Sequence, residues 1–293
     1  MMKFSKTIAI TLVCCTSSQT FALEGGKSIY SHGAENYMAG AAPPPGFHGL
    51  LYGTYYSANR LNDNNGNKVD VPNFKVKASA IVPRFTWVSE SKTLGGNVIL
   101  DIVLPLVNLE TQIGSEAFSD QGIGDIMIGP ALAYHHTTNL HSGIALDLYL
   151  PTGNYDKSEI ANIGTNRMAI EPVYAITYMN QDINADLRIG YLFNGKNDDT
   201  QYKSGDELHF DYALGLNYNT WTYGISGYYQ KQMQNDSING NPINNSKAEG
   251  FSIGPSIKYQ NNDWFVTLKY EKEVMTKNKT EGDAVWLKTV LPF

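Results

Sequence analysis

The chain has 293 residues, 42% hydrophobic and 17% charged, with 19 Tyr, 11 Phe and 4 Trp; soluble proteins carry about a quarter charged residues. Its 22 basic residues neither cluster nor outnumber the 28 acidic ones, and the formal charge of -6 excludes a basic nucleic-acid footprint. The two cysteines, Cys14 and Cys15, both fall in the opening stretch, so the rest of the chain has no disulfide, thiolate metal centre or cysteine nucleophile.

Residues 1-22 carry Lys3 and Lys6, an apolar run from Ile8 to Cys15, and small or polar residues up to Ala22. This is the layout of a secretory signal peptide cleaved near Ala22, and the apolar run is too short for a membrane helix. Its removal leaves 20 basic residues against 28 acidic ones, a charge of -8. Residues 23-47 are Gly-rich and then read AGAAPPPGFHG, an irregular segment on the periplasmic side or in a lumen, stiffened by Pro43-Pro44-Pro45.

From residue 48 to 293 a period of two takes over. It predicts strands near 48-58, 73-88, 95-106, 122-137, 141-150, 165-179, 182-193, 208-219, 221-232, 249-260, 263-275 and 283-292. Ile144, Leu146, Leu148 and Leu150 share one face, as do Ile183, Ala185, Leu187, Ile189 and Tyr191. Long polar connections at 59-72, 107-121, 151-164, 194-207, 233-248 and 276-282 alternate with short ones. That alternation predicts an all-β fold, a closed antiparallel transmembrane β-barrel of 12 strands with short periplasmic turns and long extracellular loops. An even strand count returns the last strand beside the first, which removes sheet edges and places both chain ends in the periplasm. Tyr and Trp near the strand ends, among them Tyr55, Trp87, Tyr218, Trp221 and Trp264, fit an interfacial girdle.

Charged residues fall on the face opposite the apolar one. Asp125, Asp147, Glu171, Asp186, Arg188, His209, Asp211, Lys258, Lys269 and Glu271 are expected to line the lumen, joined by Arg84 if Pro83 marks a bulge that changes the phase of its strand. They either pair to fill a narrow barrel or line a permeation path. His135, His136 and His141 flank a short turn, and His209 and Asp211 sit two apart. The chain carries no GxSxG elbow, HExxH or paired metal-ligand spacing, so the reading is a non-enzyme with no cofactor and no metal site. Gly122, Gly124 and Gly129 surround Asp125 and precede Pro130 without a strand-to-helix transition, which excludes a dinucleotide loop and points to crowding in a curved sheet. Pro130, Pro172 and Pro255 lie inside strands and predict local interruptions.

Gly122-Ile123-Gly124-Asp125 with Gly129-Pro130, then Leu150-Pro151-Thr152-Gly153 with Gly164-Thr165-Asn166, and YKSGDELHFDY from Tyr202 to Tyr212 are similar to the outer-membrane channel family labelled "MetA-pathway of phenol degradation". The likeness spans about residues 24 to 293. The resemblance implies a monomeric outer-membrane barrel that passes small hydrophobic, including aromatic, molecules and releases them sideways through its wall. It implies a constriction at Pro43, Pro44, Pro45 and Phe47 and a wall opening at Gly122, Gly124, Gly129, Pro130, Pro151 and Gly153; a channel for apolar solutes further predicts an apolar pocket with Phe47, Phe118, Ile160 and Ile163 at its mouth. The expected partners are outer-membrane lipid and lipopolysaccharide, small hydrophobic solutes, and the barrel-assembly machinery through the C-terminal Phe293. A general porin for polar solutes and a non-transporting structural barrel stay open as alternatives at this point.

Overall fold

A computed structural model describes residues 27-261 and 264-291; residues 1-22, read above as a signal peptide, and Phe293 lie outside the described residues. Alternating side chains produce eighteen strands in chain order. They are β1 (Gly46–Leu61), β2 (Lys75–Thr93), β3 (Gly96–Val103), β4 (Leu106–Ile113), β5 (Glu116–Ile123) and β6 (Ile126–His135). Next come β7 (Leu140–Leu150), β8 (Ala169–Met179), β9 (Ile183–Asn194), β10 (Lys196–Asn197), β11 (Tyr202–Lys203) and β12 (Glu207–Tyr218). The last are β13 (Trp221–Gln232), β14 (Ser237–Ile238), β15 (Asn241–Pro242), β16 (Glu249–Gln260), β17 (Phe265–Lys277) and β18 (Thr280–Leu291).

Twelve of them close a barrel in the order β1-β18-β17-β16-β13-β12-β9-β8-β7-β6-β3-β2, and β2 pairs back onto β1. Every pairing is antiparallel. Closure satisfies backbone groups that hydrocarbon could not solvate. The exterior is apolar, with Ile81, Phe85, Leu100, Leu146, Leu214, Ile225, Leu268 and Leu287 exposed. Asp147, Glu171, Arg188, His209, Asp211, Lys269 and Lys288 are buried inside. This reversal of the soluble pattern is what a lipid-facing barrel demands.

Two expected connections differ. Residues 107-121, read as a loop, form the β4–β5 hairpin, because alternation continues through Leu106, Val107 and Leu109 and lets β4 pair with β2 from Lys75↔Gln112 to Ile81↔Leu106. The connection read at 276-282 shrinks to residues 278-279, since β17 and β18 run on to Lys277 and from Thr280. The two long connections at 195-206 and 233-248 meet above the barrel in a small sheet, β10-β11-β14-β15.

Each in-strand proline leaves a gap in one ladder. The β6–β7 register passes from Ile128↔Leu148 to Ala131↔Ala145 around Pro130, β8–β9 from Ile170↔Phe193 to Val173↔Gly190 around Pro172, and β16–β17 from Ile253↔Lys272 to Ser256↔Lys269 around Pro255. Proline has no N–H to donate, so the neighbouring strand loses its partner there.

Candidate functional site: lumen, threaded segment and wall interruption

Residues 27-45 form no strand; side chains of the barrel interior accept from the amides of Gly33, Glu35, Ala39 and Gly40, and the amides of Ala34 and Ala41 bond within the segment. At the loop end, Lys27 Nζ donates to the carbonyls of Asn162 and Ile163, both at 2.7 Å, and burial pulls its ammonium down to about 8. Asp211 accepts from Tyr30 Oη at 2.5 Å and from the amides of Gly33 and Glu35 at 3.0 Å each. Glu35 receives Arg84 Nη1 and Lys288 Nζ at 2.8 Å each, and Tyr52 Oη at 3.0 Å. Lower down, Ala39 N donates to Asp186 at 3.0 Å and Gly40 N to Thr177 Oγ1 at 2.8 Å. A side chain at Gly40 would come within 2.8 Å of the Ile176 backbone, so only glycine permits this approach. The segment therefore runs from the extracellular loops down to Gly46 at the periplasmic end. The expectation that both chain ends lie in the periplasm concerns residues outside the described ones; Lys27, the first described residue, sits beside the loop at 151-168 through its bonds to the Asn162 and Ile163 carbonyls.

Around the segment the lumenal charges pair. Arg188 bridges Asp147 at 3.0 Å and Glu171 at 2.9 Å, and Glu171 meets His209 Nε2 at 3.0 Å and Tyr149 Oη at 2.7 Å. Tyr30 of the threaded segment stacks on His209 with centroids 4.3 Å apart, and Arg188 lies 4.4 Å above the Tyr30 ring. Lys269 pairs with Glu271 at 2.7 Å, and Lys258 donates to Asn184 at 2.7 Å. Thus Asp147, Glu171, Arg188 and His209 form one cluster, while Asp211, Asp186, Lys269 and Glu271 surround the threaded segment. Arg84 pairs with Asp101 at 2.7 Å. It faces inward without any bulge at Pro83, since β1–β2 runs in unbroken register from Gly46↔Val88 to Ala58↔Val76.

That unbroken register turns the even-numbered residues of β2 inward. Val76, Ala78, Ala80 and Val82 line a cavity of 1280 Å³ together with Val107, Leu109 and Ile113 of β4. One arc of the lumen is therefore apolar, whereas β9, β12, β16 and β17 present charge. The apolar arc leads to a break in the wall. β6 and β7 stay paired up to Ile126↔Leu150, but β5 above them pairs with β4 alone. Its free edge is covered by the connection at 151-168 through two carboxylates. Asp120 accepts from Ile163 N at 2.9 Å and Asn154 Nδ2 at 3.2 Å. Asp125, at the kink between β5 and β6, accepts from Gly153 N at 2.9 Å, Thr165 N at 2.8 Å and Thr165 Oγ1 at 2.6 Å. Gly122 sits here with φ +149°, facing Ile163, and an ideal Cβ at Gly153 would lie 2.6 Å from Gly164 Cα.

The sequence-derived site residues divide accordingly. Gly122, Gly124, Asp125, Pro151 and Gly153 converge on the wall break, and Ile160 and Ile163 line the cavity beside it. Gly129 belongs elsewhere: a Cβ there would collide with Asp147 Oδ1, so it makes room for the ion cluster, and Pro130 lies in the ladder below the break. Phe47 is 79% exposed and faces outward near Trp87, so it constricts nothing, because strand parity groups it with the lipid-facing residues of β1. Pro43 and Pro44 line the cavity, Pro45 sits outside beside Phe47, and Phe118 is not among the cavity-lining residues. Sequence reasoning missed Glu35, which no periodicity announces. It also missed Asp101 and Lys288, whose inward phase is legible from Ile99-Asp101-Val103 and Trp286-Lys288.

The family described as "Putative MetA-pathway of phenol degradation" matches residues 58-289. No curated protein sequence matches the chain. Among solved structures, an outer membrane channel from Pseudomonas putida F1 aligns with a TM-score of 0.77 at 18% identity, over 87% of this chain and 98% of that one, which shows the shared barrel fold. The beta domain of the Bordetella autotransporter BrkA aligns with a TM-score of 0.47 at 8% identity, over 85% and 100% of the two chains. A mutant of the TodX monoaromatic hydrocarbon channel gives 0.41 at 10% identity, over 88% and 94%.

Proposed function

The chain belongs to the family that matches it over residues 58-289, and on that premise we propose that this outer-membrane barrel is a channel for passive uptake of small hydrophobic molecules. Solute enters between the extracellular loops, follows the apolar inner face of β2 and β4, and leaves sideways past the free edge of β5. The observation that carries the reading is this continuity of an apolar track with the wall break. A polar solute gains nothing from Val76, Ala80, Val107 and Leu109, and the axial route holds residues 27-45 and their hydrogen-bonded partners. An apolar solute leaving sideways never re-enters water, so it keeps about 25 cal/mol for each Å² of apolar surface withheld from solvent. The free backbone groups of β5 are tolerable only where loop or water reaches them, at the outer margin of the bilayer.

The test uses cells with an intact lipopolysaccharide leaflet, because a phospholipid liposome leaks small aromatics by itself. Expression of the barrel should accelerate uptake of a radiolabelled monoaromatic, and Leu109→Asp, folded by heat-modifiable migration, should return uptake to background. Proteoliposomes should show no swelling in isotonic sugars. Rapid sugar swelling, or undiminished uptake through Leu109→Asp, would sink the proposal in favour of a hydrated porin or another route.

A further inference from the structure

The outer ends of the strands carry charge in an unequal pattern. On the lipid-facing side, Lys272 of β17 lies opposite Asp283 of β18, Asp283 opposite Ser57, Ser57 opposite Lys77, and Lys77 opposite Glu110. A second row sets Lys231 of β13 opposite Glu249, and Glu249 opposite Lys277. The side chains of Lys231 and Lys277 are 48% and 40% exposed, and both share the single carboxylate of Glu249. Asp283 is further engaged by Tyr270 Oη at 2.6 Å. Among the described residues, Lys272 and the exposed Lys75 have no ion-pair partner. This arc is therefore net positive on a chain whose formal charge is -6.

Such side chains are costly in hydrocarbon and stable at headgroup depth. Aromatic rings mark that depth: Tyr229 and Phe251 lie two residues below the Lys231–Glu249 row, and Tyr270 lies two residues below Lys272. The opposite arc differs at its strand ends. The outer ends of β7, β8, β9 and β12 present Leu150, Ile170, Phe193 and Leu208, the free edge strand β5 begins with exposed Glu116, and the nearest exposed lysines, Lys157, Lys196 and Lys203, stand in the connections above the strands.

We propose that the lysine arc from β13 around to β2 binds the phosphates of lipid A, the phosphorylated glucosamine headgroup of lipopolysaccharide, while the arc bearing the wall break binds none. The inference rests on the outer-membrane placement of the barrel and not on its transport activity. Two unpaired cations and two that outnumber their shared carboxylate suit a bisphosphorylated headgroup, with each lysine near an anionic surface contributing about a fivefold gain in affinity. The lysine arc ends at β2, two strands from the free edge of β5 through Lys75↔Gln112 and Gln112↔Ala117, so only the β6–β9 side of the lateral exit is left without phosphate contacts.

The folded protein in detergent would be titrated with fluorescent bisphosphorylated lipid A, with dephosphorylated lipid A, phosphatidylglycerol and inorganic phosphate as competitors. Wild type should prefer the bisphosphorylated form, and neither phosphatidylglycerol nor inorganic phosphate should displace it at equal concentration. Replacing Lys75, Lys231, Lys272 and Lys277 by Gln should weaken binding by about a hundredfold or more, and the four Lys→Arg changes should retain it. Monoaromatic uptake by the Gln variant should stay near wild type, so failure of this proposal and failure of the channel reading separate cleanly. Equal affinity for dephosphorylated lipid A, equal displacement by phosphatidylglycerol, or full binding by the Gln variant would overturn it.

Discussion

Replacing Glu35 by Ala should loosen the threaded segment without unfolding the barrel. Glu35 Oε1 takes Arg84 and Tyr52, Oε2 takes Lys288, and its side chain is only 11% exposed. Arg84 keeps Asp101 at 2.7 Å, but Lys288 is left with the Tyr37 carbonyl at 3.3 Å. Breaking a buried pair by deleting one partner costs about 3 to 5 kcal/mol, most of it from the stranded charge. The loss falls on docking of residues 27-45, because the strand ladders do not involve Glu35. The population of undocked segment should rise by roughly a hundredfold to several thousandfold. Hydrogen exchange measured by mass spectrometry should show amides of residues 33-40 exchanging faster by that factor, with strand amides unchanged. A planar-bilayer recording should then show higher ion conductance than wild type. The double variant Glu35→Leu with Lys288→Met, which removes both charges, should recover most of the protection. Unchanged exchange at residues 33-40 in Glu35→Ala would refute the anchoring role, and faster exchange throughout the strands would show that the pair stabilises the barrel instead.

Three further outcomes follow from the same contacts. Asp125→Ala removes three hydrogen bonds, so the connection at 151-168 should detach by about 2 to 4 kcal/mol and limited proteolysis near Lys157 should accelerate at least tenfold. Gly190→Ala drives a methyl group into Glu171 Oε1 and against His209; it should lower the temperature of the heat-modifiable transition, by an overpacking cost of about 1 to 3 kcal/mol, whereas Gly95→Ala, at an open periplasmic turn, should displace nothing in its surroundings and leave the ion cluster intact. Because burial lowers Lys27 to about 8 against an ordinary value of 10.5, its charged form opposes docking below pH 8, and protection of the adjoining amides should rise between about pH 8 and 10.5. Lys27→Met should abolish that rise, and exchange corrected for its intrinsic pH dependence is the readout.

Barrel class, strand number and the lipid-facing side of most strands were legible in the sequence because a period of two ties each residue's face to its position. Alternating loop lengths carried the expectation of which end faces outward. The inward position of Asp147, Glu171, Arg188, His209 and Asp211 followed from the same arithmetic. The arithmetic also assumes that the polar face of a strand is its inner one. On β2 that assumption inverts: Lys75 and Lys77 face out, and Val76, Ala78 and Ala80 face in, which is why Arg84 seemed to need a bulge.

Only the tertiary structure decided three things. Residues 27-45 have no period, and their path depends on carboxylates from distant strands, Asp211 and Asp186, finding their amides. The wall break depends on which strand β5 lacks as a neighbour, a relation between residues 116-123 and a chain that turns away after Leu150. The apolar track exists because β2 and β4 share a register. Local alternation can say which residues share a face, but pairing across the sheet determines what that face meets.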